Sequence, residues 1–406
     1  MPSPAPRHSI RTVAIVASAV AVAVCVLSLA PAAFAKRASG PSGAACGSGW
    51  QRVPSPNPPD VHDFLNGVDA IAPTDAWAVG GRYNGSRQHT LIEHWDGRAW
   101  SIVPSPNMGG SSLLSSVSAI APDDVWAVGT ARNRVLTEHW DGSAWSVVPA
   151  PFRGSLEDVE AIDPTHVVAV GEVLVHHLNP LALRWTGSGW LQIHAAASGS
   201  PDPILFNSVA ATGPTDIWAA GEAVRNQHAV NLSEHSGGDA FTQIRTPTPG
   251  RGEDRLLAVD AISPSDVWAV GDSIKPSFPS TSAHNVSEHW NGSSWRLVRT
   301  PTRHVAGFDQ VDTSLGGVSA VGANEVWAVG YRQGYTDNGR EISRRRTLSL
   351  EWNGARWRVV ASPNAFGLRN SELRDVAALS DGHGWAVGAA SSASGRVEKT
   401  LVLARC

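Results

Sequence analysis

One four-residue phrase recurs along the whole chain and limits what it can fold into. Trp-Ala-Val-Gly stands at 77–80, 126–129, 268–271, 327–330 and 385–388. It returns as Val-Ala-Val-Gly at 168–171 and as Trp-Ala-Ala-Gly at 218–221. The copies lie about 42 to 59 residues apart, a period that belongs to propellers, solenoids and arrays. The unit around each copy separates these options. In residues 113–149, Leu114 to Ile120 alternates and is rich in small and β-branched residues, as a strand should be. Ala121-Pro122-Asp123-Asp124 is a turn, with Pro fixing φ and Asp able to bond nearby backbone. Val125 to Gly129 is continuously apolar, the mark of a strand buried on both faces. Asn133 to Trp140 is a third strand, Asp141-Gly142 a hairpin and Trp145 to Val148 a fourth strand. Four short antiparallel strands per unit predict a β-propeller. A solenoid would use shorter repeats, about 20–30 residues, for parallel coils.

The ends of the chain give the blade count. Six copies of the phrase are followed by both a third and a fourth strand, but after the last copy Thr400 to Cys406 supplies a third strand only. Cys46-Gly47-Ser48-Gly49-Trp50-Gln51-Arg52-Val53-Pro54-Ser55-Pro56 matches residues 96–106 one for one, with Cys46 in the place of Asp96. The expected fold is therefore all-β: a seven-bladed β-propeller with four antiparallel strands per blade, the last blade closed by the N-terminal strand. Cys406 also falls on the Asp96 position when third strands are aligned. A Cys46–Cys406 disulfide is expected in an oxidising compartment. It would close a loop of about 360 residues, for which chain entropy gives an upper bound of roughly 5–6 kcal/mol.

The first 35 residues read as an export signal. Arg7 and Arg11 precede an apolar run from Thr12 to Ala30, and Ala33-Phe34-Ala35 offers a small-x-small cleavage site. An uncleaved anchor is the alternative, because the run approaches the length of a membrane span. Cys25 follows Val24 rather than a small residue, which argues against lipid attachment. Residues 36–45 form a flexible lead-in, and 46–406 the propeller. The expected location is outside the cell. The 32 Lys and Arg, less Arg7 and Arg11, face 36 Asp and Glu. With no long basic stripe, nucleic acid is not an expected partner, nor is a membrane beyond export. A monomer is expected.

At the level of architecture, the repeats resemble secreted bacterial seven-bladed propellers of the kelch or galactose-oxidase-like type. The turn Trp-Asp/Asn-Gly-x-x-Trp is loosely similar to the Asp-box turn of sialidase-type propellers. Kelch repeats carry a Gly-Gly pair in strand two, where this chain has only the Val-Gly ending, and the Asp-box spacing is not met. The resemblance carries no functional residue across.

Repeated polar motifs read as structure. Glu-His precedes the third-strand Trp at 93–94, 138–139, 234–235 and 288–289. An acidic residue opens the second strand at Asp75, Asp124, Asp216, Asp266 and Glu325. Four similar sites around a ring cannot be one active site, so these pairs are expected to tie strands together. The tryptophans are expected to fill the wedges between blades. No Gly-x-Ser-x-Gly, His-Glu-x-x-His or phosphate-binding glycine loop occurs. No cofactor, metal or catalytic residue is assigned.

Loop lengths point to a ligand face. The turns joining strands one to two and three to four are short and constant. The connections from strand two to three, and from four to the next blade, vary, and in a propeller these share a face. Such loops on a rigid scaffold commonly carry binding residues. The candidates are Tyr83, His176, Phe308, Asp309, Tyr331, Tyr335, Arg344 and Arg345, centred on blade six. The expected function is a secreted, non-catalytic propeller binding a glycan or protein. A glycoside hydrolase or polysaccharide lyase on the same face, using carboxylates among Asp309, Asp312, Asp337 and Glu341, is the alternative. A purely structural envelope protein is the third.

Overall fold

The computed structural model describes residues 49–406, apart from 60, 175–176, 197–201, 250–251, 276–281, 302–304, 306, 309, 337–342 and 396. All regular elements among the described residues are strands, arranged in seven four-stranded antiparallel sheets. The first strands are His62–Ala72, Ser112–Ala121, Ser155–Asp163, Ile204–Gly213, Glu253–Ser263, Gln310–Gly322 and Asn370–Ala378. Each touches the next in order, and the seventh touches the first, so the sheets close into a ring with these strands innermost. In blade seven, Gln51–Val53 completes the sheet beside Glu398–Arg405, with Gln51 opposite Ala404 and Val53 opposite Val402. The chain is thus a seven-bladed β-propeller closed by its N-terminal strand. Cys46, the expected partner of Cys406, lies outside the described residues.

The glycine that ends each copy of the phrase has one cause. In every blade the inner strand carries a β-bulge, as where Leu65 pairs with Gly80 but Gly67, not Asn66, pairs with Val79. The same register shift recurs in the other six. The bulge drives the inner strand's backbone onto the second strand. A Cβ on Gly80 would lie 2.1 Å from the Phe64 carbonyl oxygen, and on Gly271 1.9 Å from that of Arg255. The five other phrase glycines meet the same carbonyl at 1.9 to 2.2 Å. No side chain fits there.

Tryptophans fill the wedges, as expected. The second-strand Trp of one blade meets two rings from the next. Trp126 lies 5.1 Å from Trp185 and 5.5 Å from Trp190, and Trp77, Trp218, Trp268 and Trp385 make the same trio. At Trp327 the trio is Trp50 and the guanidinium of Arg405, which sits 3.8 Å from the ring centroid. Blade three, whose phrase begins with Val168, packs Phe241 instead. The Glu-His motifs are structural too. His94, His139, His235 and His289 bond Asp75, Asp124, Asp216 and Asp266 at 2.7 to 2.8 Å. Each imidazole packs on its own blade's second-strand Trp.

The innermost strand of each sheet has an unpaired edge facing the channel, and side chains serve it. Asp69, Asp158, Asp260 and Asp375 accept the amide N–H of Ala119, Val209, Ala320 and Val68 at 2.7 to 2.9 Å. Ser118, Ser208 and Ser319 accept those of Ala161, Val259 and Ala378 at 3.0 to 3.1 Å. Each of the seven blade interfaces is therefore crossed by one such strap. Burial pushes the Asp375 carboxyl up to about 7 and that of Asp260 up to about 6, against the pull of their backbone donors. The third-strand glutamates behave alike. Burial raises Glu138 and Glu288 to about 8 and Glu93 to about 7, opposed by one hydroxyl or amide donor each and, at Glu93, by the charge of Arg82 as well.

Two outcomes are expected. Trp268→Ala removes one wedge and lowers unfolding stability by about 3–5 kcal/mol, read from denaturant midpoints. The second concerns pH. A carboxyl whose folded pKa is raised holds more protons folded than unfolded, so stability falls as pH rises from its ordinary value to its folded one. For these five groups that window runs from about 4 to about 8. The melting temperature should decline from pH 5 to pH 8, and Glu138→Gln should flatten that decline. A melting temperature that climbs over the interval refutes the account.

Candidate binding site at the mouth of the central channel

The bulge that explains the repeated glycine also builds a site. It leaves one inner-strand residue per blade unpaired, and bulges re-aim side chains. These residues are Asn66, Ser115, Glu157, Asn207, Leu257, Gly316 and Arg374. All seven line one cavity of about 510 Å³ at the channel mouth, together with Tyr331, Arg345 and Glu372. Tyr331 and Arg345 lie on either side of the blade-six connection from strand two to three, so this is the mouth on the variable face. The variation is large there. In blades two and four only Arg132-Asn133 and Asn226-Gln227, all at positive φ, join those strands. In blade six the second strand ends at Tyr335 and the third begins at Arg346.

Ion pairs fix one side of the mouth. The Arg345 guanidinium lies over the Tyr331 ring, 4.1 Å from its centroid, and pairs with Glu372. The Arg345 amide donates to Asn370 Oδ1 at 3.1 Å. Arg374 donates to Glu372 Oε1 through Nε at 3.0 Å and Nη2 at 2.8 Å, and to Asn66 Oδ1 through Nη1 at 2.9 Å. Burial pushes the Glu372 carboxyl up, but the two guanidiniums outweigh it and hold the group below its ordinary range. Burial raises the Tyr331 phenol, and Arg345 opposes that.

The other side is acidic. Ser155 Oγ lies 2.8 Å from Glu157 Oε1 and 2.9 Å from Glu172 Oε1. A hydroxyl carries one hydrogen, so it serves as donor to only one of them. Burial and the charge of Glu157 push the Glu172 carboxyl up. Burial also raises Glu222, against the pull of Arg255. The mouth thus sets the guanidiniums of Arg345 and Arg374 against the Glu157 carboxylate of blade three, with Glu172 on the same Ser155 hydroxyl.

The expected site residues divide. Tyr331 and Arg345 meet at the mouth. Tyr335 donates to Gln333 Oε1 at 3.1 Å, and Phe308 packs over Gly334, where a Cβ would lie 2.7 Å from the ring. Both support the same strand without lining the cavity. Arg344 is exposed. Tyr83 ends a blade-one strand and bonds the Gly85 carbonyl, away from the cavity. Asp309 and His176 lie outside the described residues, as do Asp337 and Glu341 of the carboxylate group. Asp312 accepts the Ala283 amide at 2.9 Å, an inter-blade tie. The tyrosines stand at strand ends or within a strand rather than in loops, because blade six's first two strands pair as far as Gln310 and Tyr335. Sequence reasoning missed Arg374, Glu372, Glu157 and Asn66. For Arg374, Glu157 and Asn66 the signal was the position after the inner-strand Leu, which differs in almost every repeat, whereas Glu372 stands before that Leu.

No protein-family model matches the chain, and no curated protein matches it. Solved structures do. The chain is similar to YCF48 from Cyanidioschyzon merolae at 16% identity, over 88% of this chain and 98% of that one, with a TM-score of 0.52. It is similar to a YCF48 bound to D1 peptide at 14% identity, over 88% and 96%, with a TM-score of 0.52. A polysaccharide lyase of family PL25, an ulvan lyase bound to -[GlcA(1-4)Rha3S]-, shares 10% identity over 87% and 93%, with a TM-score of 0.50. At these identities the likeness is one of fold.

Proposed function

We propose that the protein is an exported, non-catalytic propeller that holds an extended ligand, a glycan or a peptide, at the channel mouth of its variable face. One observation carries this. Seven bulges converge on one cavity of about 510 Å³, and their positions hold asparagine twice, serine, glutamate, leucine, glycine and arginine, while the residues around each bulge repeat. A scaffold alone has no need of such variation at one inward position. The solved propellers of like fold lend support, one binding a peptide and one a glycan.

The test is a binding screen of the chain from Cys46 onward against glycan and peptide arrays. For any ligand found, Tyr331→Ala should weaken binding at least tenfold. Tyr83→Ala, away from the cavity, should not. Equal affinity for wild type and Tyr331→Ala rejects the site. Release of new reducing or unsaturated ends from a bound polysaccharide would replace binding by catalysis.

Export and the disulfide belong to the same proposal. The register that sets Gln51 opposite Ala404 continues, one step outward, to Trp50 beside Arg405. Trp95 and Trp100 form that pair in blade one, and both cysteines align at Asp96 in the turn just beyond it, which supports a Cys46–Cys406 bridge. Mass spectrometry of the denatured secreted protein should find no alkylated thiol before reduction and two after it. A Cys46→Ser, Cys406→Ser variant should be about 2–4 kcal/mol less stable. Alkylation of two thiols without reduction refutes the bridge.

A further inference from the structure

We infer that the channel mouth takes a glycan carrying uronate residues, the sugar carboxylate docking on the open edge of Arg345. This rests on the channel-mouth binding site proposed above and names its ligand class. Three observations lead to it. The Arg345 guanidinium is held in a fixed plane by the Tyr331 ring beneath it. Its Nη1 is engaged by Glu372, while its Nε–Nη2 edge has no partner among the described residues. That edge is a two-donor fork, and a planar carboxylate matches it bidentately. Arg345 is about one-third exposed and so reachable from solvent.

The remaining lining selects the kind of acid. The Asn66 amide is spent on the Leu114 carbonyl and Arg374, and the Ser314 hydroxyl on Asp272. Ser115, the Asn207 Oδ1 and Glu157 are left to meet sugar hydroxyls. The carboxylates of Glu157 and Glu172 would repel a ligand dense in negative charge, such as an acidic peptide or a polysulfate. A uronate places a single carboxylate among several hydroxyl donors. It answers the fork with its acid and the glutamates with its hydroxyls.

The experiment uses the secreted protein and a panel of hyaluronan, gellan and glucuronoxylan oligosaccharides, in which single uronates stand among neutral sugars. Each is compared with its carboxyl-reduced counterpart by calorimetry at pH 7. At least one uronate oligosaccharide should bind, and carboxyl reduction should weaken it tenfold or more. Arg345→Gln should lose that discrimination and bind both forms equally weakly, and Arg345→Lys should recover only part of it. Arg345→Gln with Glu372→Gln separates loss of the fork from exposure of an unpaired carboxylate, and it too should fail to discriminate. All variants should keep the wild-type melting temperature within a few degrees. Three results overturn the inference: no binding by any panel member, equal binding of acid and reduced forms, or preference for acidic peptides over every uronate. A neutral glycan or a peptide that binds and is lost with Tyr331→Ala would leave the mouth as the binding site while removing the uronate. Binding that ignores Tyr331→Ala removes both.

Discussion

Everything in this ring depends on how its innermost strands approach one another. Seven strands converge on an axis, each presenting an unpaired edge of backbone donors and acceptors. Such an edge is costly when buried and sticky when exposed. Here one aspartate or serine oxygen per interface accepts an amide from the next inner strand, so one donor of each edge is satisfied without a further strand. The bulge lies one or three residues before each strap's acceptor. It also presses backbone onto the second strand, and only glycine accommodates that contact. The four-residue phrase is thus the outer trace of an inner constraint.

Much of the fold was legible because those constraints repeat. The blade count followed from the period, and the closure from a fourth-strand segment displaced to residues 46–56. The Glu-His pairs read correctly as structure, since four equivalent His–Asp bonds hold four equivalent strands. The bulge was not legible. Reading Leu114 to Ile120 as plain alternation misses that Ser115 is unpaired, because alternation continues on both sides of it. The straps were equally hidden. Asp158 and Asp375 occupy the bulge-paired position that is Gly67 in blade one, and Asp69 and Asp260 a position two further on. No single column of the repeat announces them.

The site was half legible for the same reason. Loop length pointed to blade six, and Tyr331 and Arg345 do stand at the mouth. Their partners Glu372 and Arg374 come from the inner strand of blade seven. The sequence separates them from Tyr331 by a complete hairpin pair, and only closure of the ring brings them beside it. Reasoning from loops also pulled Tyr83 and Phe308 into one group with them. Tyr83 is spent on its own turn, and Phe308 on covering Gly334.

One consequence joins the fold to the site. A repeated strand fixes the Leu before the bulge and the Val after it, because both are buried against neighbouring blades. At the bulge position Asn66 and Asn207 donate to the Leu114 and Leu256 carbonyls of the next blade, a tie that Leu257 and Gly316 cannot make, so the ring closes with differing residues there. Seven independent choices then meet at one opening. That division lets the same seven strands close a stable ring through their constant positions and set the chemistry of the mouth through the variable one. An ion-paired Arg374 can therefore face Glu157 across the mouth while the strands that carry them remain near copies of each other.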